Sequence, residues 1–175
     1  VKVSLSGEYA FLANQVDSTT RKIMFDLFRS KKRSTMDILF STLDEKSIRA
    51  LDSVAKVLML QLWLCRNQPS YNAELQSKFA RGYLFGYFDA ATQWYDMPHK
   101  SDEDAIHRIM YGHSIVFLDR NVDAIRYVVD SVGLQYDPTY KAAEQQGVND
   151  LHACFGNNEK KPLPPRGLVQ YVMGY

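Results

Sequence analysis

The sequence predicts an all-α protein, a single-domain helical bundle of about six to eight helices with an extended, proline-containing C-terminal tail. Three observations predict it. Apolar residues recur at three- and four-residue spacing along most of the chain, capping residues stand ahead of the periodic runs, and no strand pair, hairpin signal or internal repeat is found. The bundle is expected over residues 1–156 and the tail over 157–175.

Size and composition agree with that class. At 175 residues, 46% hydrophobic and 23% charged, the chain suits one globular domain with a sizeable core. Eleven Tyr and nine Phe give an aromatic surplus that a core, an interface or a pocket must absorb. A net charge of +1 provides no global field to draw in nucleic acid or anionic membrane. The longest apolar stretch, "VLMLQLWLC" (57–65), is far shorter than the roughly 20 residues of a membrane span, so no membrane association is expected. "VKVSLSGEY" is too polar for a secretory leader, and Cys65 and Cys154 read as two buried thiols; a cytoplasmic protein is expected.

Each element has its own reason. Tyr9, Leu12, Val16, Thr20, Ile23 and Leu27 share one face of a first helix, with Asp17 or Ser18 as a candidate cap for a division at "DSTT". The basic "RSKKRS" (29–34) breaks the pattern, and Ser34 caps a short helix in "TMDILFSTL". Asp44 caps the next helix, whose first half sets Ile48, Leu51, Val54, Ala55 and Leu58 against Arg49, Asp52, Ser53 and Lys56. Its second half is apolar all round, through Leu60, Trp63 and Leu64, and is expected to be buried, centrally or against a partner.

After "NQPS", Ser70 or Asn72 starts a helix running from about 73 to 95, which carries Gly82 and Gly86 at about 1 kcal/mol each relative to alanine. On a wheel at 100° per residue, Gly82, Gly86 and Ala90 form one row, a groove into which a neighbouring helix can press closely. Tyr83, Leu84, Tyr87, Phe88, Ala91 and Trp94 leave a narrow polar arc of Lys78, Arg81, Asp89 and Thr92, so this helix is expected at the centre. Ser101 caps "DEDAIHRIMYGHSIVFL", whose first turn holds three acids where the helix dipole favours them. A kink or new start at "DRN" (119–121) leads to Val122, Ile125, Val129 and Val132, closed by Gly133. Asp137 as cap, Pro138 at the first helical position and Gly147 just past the end define the next helix, and a last turn in "NDLHACF" stops at Gly156. "NNEKKPLPPRG" (157–167) reads as a stiff tether that brings the apolar "LVQYVMGY" back onto the bundle or onto a partner.

The candidate sites point to a non-enzymatic protein-interaction or regulatory protein that binds a protein partner or a second copy of itself, with no cofactor. Phe85 lies in the polar arc between Arg81 and Asp89 at i−4 and i+4, the pattern of an interface anchor. Trp63 and Leu64, then Tyr171 in the tail, are the next partner-binding candidates. A first alternative is a nucleic-acid-binding regulator that sets Arg29, Lys31, Lys32 and Arg33 on phosphates. A second is a metal-dependent enzyme around His99, Glu103, Asp104 and His107, in which a carboxylate and an imidazole share a helix face. A second Asp/Glu-x-x-His copy on another helix, a zinc-type Cys/His spacing, a phosphate-binding glycine loop and a nucleophile elbow are all missing from the sequence. His113, on the apolar stripe with Ile106, Ile109, Met110 and Val116, reads as a hydrogen-bonded core histidine.

Overall fold

A computed structural model describes residues 41, 43–97, 101–118, 122–156 and 164–175. Of these, 76% are helical, in seven helices and with no strand, so the fold is all-α. The helices are α1 (Glu45–Cys65), α2 (Tyr71–Leu75), α3 (Lys78–Trp94), α4 (Asp102–Val116), α5 (Ala124–Val132), α6 (Pro138–Phe155) and α7 (Gly167–Met173). The helices expected ahead of Asp44, the basic stretch 29–34, the kink at 119–121 and the tether at 157–163 lie outside the described residues.

The polar residues expected as caps do start their helices. Asp44 accepts from the Ser47 amide at 2.9 Å, Ser101 from Asp104 at 3.2 Å, and Asp137 from Thr139 at 2.9 Å with Pro138 at the first helical position. Each occupies one of the amides that the first turn of a helix leaves without an internal partner. Hydrogen bonds from Ser47 hold the Asp44 carboxyl below its usual range, and the Arg108 charge adds to this.

α3 is the centre of the assembly, packing against all six other helices. Its Tyr83, Leu84, Tyr87, Phe88 and Ala91 are fully buried. Its most extensive contact is with α6, and here the glycine row explains itself. A Cβ on Gly82 would strike the Tyr140 carbonyl and lie 2.9 Å from its carbon; one on Gly86 would strike the Glu144 carbonyl and lie 2.8 Å from its carbon. Both obstacles are backbone, which cannot rotate away. The two helices touch main chain to main chain, and that contact offsets the propensity lost to the glycines.

Three expectations are corrected. The span from 73 to 95 is not one helix: it breaks after Leu75, because Ser77 turns extended (φ −66°, ψ 158°) and its hydroxyl accepts from the Ala80 amide at 3.1 Å. Serine favours such a local side-chain bond over continuing the helix. Gly147 does not end a helix but sits inside α6, which runs on to Phe155. Its missing side chain serves the seam instead, since a Cβ there would strike the Tyr83 carbonyl and lie 2.9 Å from the Tyr87 amide nitrogen. The second half of α1 is not buried all round, because Trp63 and Leu64 on its last turn face solvent.

The apolar end of the chain forms α7, a helix where the sequence pointed only to an apolar segment, and it packs on α1, α2, α3 and α6 with Leu168 and Val172 buried.

Candidate interaction surface

α1 begins as an ordinary amphipathic helix, with Leu51, Val54, Ala55, Leu58 and Leu62 buried against α4, α3 and α7. Its last turn departs from that pattern. Trp63 is 56% exposed and Leu64 65%, while Leu62 and Cys65 on either side of them are buried. At 100° per residue, positions 62 and 65 keep the inward direction and 63 and 64 point out. The Arg66 guanidinium lies over the Trp63 ring, 4.6 Å from its centroid, in a cation–π contact. The chain then turns through Gln68, whose amide donates to the Met173 sulfur at 3.2 Å, so the end of α1 is tied to the end of α7.

The other partner-binding candidates are engaged within the chain. Arg81 is not a free cation on a polar arc. Its guanidinium lies over the Tyr127 ring at 4.2 Å and donates to the Tyr127 carbonyl (2.9 Å), the Ser131 hydroxyl (3.3 Å) and the Gln76 side chain (2.7 Å). It joins α3 to α5. Phe85 is half-buried, with its ring 6.3 Å from that of Tyr140, and Asp89 accepts from Gln93 at 2.8 Å. The structure therefore does not bring Arg81, Phe85 and Asp89 together as a protruding anchor. Tyr171 is half-buried too, stacked on Phe79 at 4.1 Å.

α7 is held by a group that sequence reasoning missed. Asp150 of α6 accepts from the Tyr83 hydroxyl (2.7 Å) and from the amides of Arg166 (3.0 Å) and Gly167 (2.7 Å) at the start of α7. Burial of Tyr83, together with the Asp150 carboxylate beside it, pushes the phenol well above its ordinary pKa. No local pattern marks Asp150, because the amides it caps are 16 and 17 residues away.

Of the metal alternative, His99 lies outside the described residues. His107 approaches Glu103 at 3.8 Å, and Asp104 sits in the capped first turn of α4. Among the described residues, no group of three or more His, Cys, Asp and Glu side chains converges as a metal would require. Of the nucleic-acid alternative, Arg29, Lys31, Lys32 and Arg33 lie outside the described residues. Cys65 and Cys154 are both buried, and no described helix is long and apolar enough to cross a membrane.

The fold and this surface define an all-α protein with an exposed Trp–Leu pair at the end of α1. Compared with known proteins, the chain matches no protein-family model, no curated protein and no solved structure.

Proposed function

We propose that this is a non-enzymatic protein-interaction protein that binds another protein chain, a second copy of itself being the first candidate, through the end of α1. The supporting observation is the exposure of Trp63 and Leu64 side by side on a helix whose other large residues are mostly covered. A single exposed aliphatic residue is ordinary, but an adjacent Trp–Leu pair is a large apolar area to leave in water. Covering a side chain of this size is worth about 1.5–3 kcal/mol, and tryptophan is enriched among the residues that dominate interface energies. Arg66 adds a donor at the rim of the patch.

The test is light-scattering mass at two concentrations for the wild type and for Trp63→Ser/Leu64→Ser. Mass that rises with concentration in the wild type, and not in the double variant, supports self-association through this surface. If the wild type is monomeric at both concentrations, the partner is a different chain, and the comparison moves to capture of binding proteins by the two forms. Association and capture both unaffected by the double substitution would remove the proposal.

A further inference from the structure

His113 of α4 is fully buried, and its surroundings leave it no second partner. Nδ1 lies 2.8 Å from the Ile109 carbonyl oxygen, which can only accept, so Nδ1 carries the proton and Nε2 holds a bare lone pair. No protein group bonds Nε2. The ring is enclosed by Phe88 of α3 (5.1 Å), Phe117 after α4 (6.3 Å) and Tyr127 of α5 (5.7 Å), and the Tyr127 ring also carries the Arg81 guanidinium.

We propose that His113 is an acid-operated release for α5: a proton from solvent taken up at Nε2 loosens the α3–α4–α5 junction and lets α5 open while the α3–α6 seam stays closed. The protonated ring would be a buried cation with no acceptor at Nε2, close to a second cation. The charged and titratable groups on the surrounding elements do not relieve it. On α3 the facing charge is Arg81, of the same sign, and on α5 the Tyr127 hydroxyl is directed to the Leu75 carbonyl at 2.7 Å. On α1 the Asp52 carboxylate accepts from Tyr111 at 3.0 Å, and on α5 Arg126 and Asp130 face each other at 3.8 Å in solvent. On α4 itself, Arg108 acts on Asp44.

α5 is the element that would yield. It has nine residues, packs on α4 and α3, and leaves Val129 and Val132 exposed. The α3–α6 seam is built on backbone contact; its titratable groups are the Tyr83 hydroxyl bonded to Asp150 and, at its exposed edge, His152 against Trp94, and no described histidine is buried in it.

Burial, with the Arg81 charge adding to it, lowers the imidazole from its ordinary 6.5 to about 4, although the Ile109 carbonyl favours the charged form. The folded value lies below the unfolded one, so opening takes up a proton. The stabilisation is complete above pH 6.5 and is lost as pH falls toward 4.

Hydrogen exchange on the full chain, corrected for intrinsic rates, tests this. Between pH 7 and pH 4.5, wild-type protection in α5 should fall roughly 50-fold while α3 and α6 hold theirs. His113→Gln and His113→Phe should each remove most of that pH dependence. Wild-type α5 protection that does not change with pH, or an equal fall in both variants, would overturn the proposal. If neither variant folds, the wild-type imidazole titrated by NMR decides: a ring that stays neutral to pH 5 supports the release, and one that titrates near 6.5 in the folded chain refutes it.

Discussion

Along the α3–α6 seam, Gly82, Gly86 and Gly147 bring two helix backbones into contact, while at the end of α1 Trp63 and Leu64 hold two large apolar side chains in water. Hydrophobicity alone ranks these regions the wrong way round. Glycine has no apolar side chain to bury, yet its positions line the most extensive helix–helix contact among the described residues. The α1 end has the apolar area, and among the described residues no helix covers Trp63 and Leu64. Burial follows from whether a complementary surface is within reach, and side-chain size decides how close that surface can come.

The largest effect is expected at the seam. Gly86→Ala gains roughly 1 kcal/mol of helix propensity but drives a methyl into the Glu144 carbonyl, so a net loss of about 2–3 kcal/mol should appear in urea unfolding. A neutral or stabilising result would show that α3 and α6 can separate without loss, and the contrast with α1 would collapse. An intermediate effect belongs to the clasp between the seam helices and α7. Asp150→Ala removes the acceptor for the Tyr83 hydroxyl and two α7 amides, and should cost about 1–2 kcal/mol with faster hydrogen exchange in α7. Unchanged exchange in α7 would mean that its apolar contacts alone hold it. The smallest effect on stability is expected at the exposed end. Trp63→Ser should change the unfolding free energy by less than about 1 kcal/mol, because more than half of the residue already lies in water. A loss of several times that size would mean that Trp63 supports the fold, and its exposure would then say little about a partner.

Much of the fold was legible in the sequence. Asp44, Ser101 and Asp137 could be read as caps because a cap acts on amides two or three residues away. The Gly82–Gly86–Ala90 row was legible because helical periodicity alone places those residues on one face. The break at Ser77 was missed because serine tolerates both a helix interior and a cap, and the choice rests on how α2 and α3 pack. Gly147 was misplaced because a glycine at a helix end and one in a helix contact look alike along the chain. Of the candidate surface, Trp63 and Leu64 were recognised as anomalous for their helix, but whether they pointed into the core or into water was not readable. Arg81, Phe85 and Asp89 looked like an anchor in one helix, and it took α5 and α6 to occupy Arg81 and half-cover Phe85.

By itself the amino-acid order determined what is local: helical class, where most helices start, and which residues share a face. These depend on interactions within about four residues, which the order of side chains states directly. Only the tertiary structure decided that α6 is the rod pressed against the glycine row, that Asp150 clasps α7, that His113 stands among three aromatic rings, and that Trp63 and Leu64 on the last turn of α1 face solvent. Those outcomes depend on which surfaces meet across tens of residues of chain, and no local spacing encodes that choice.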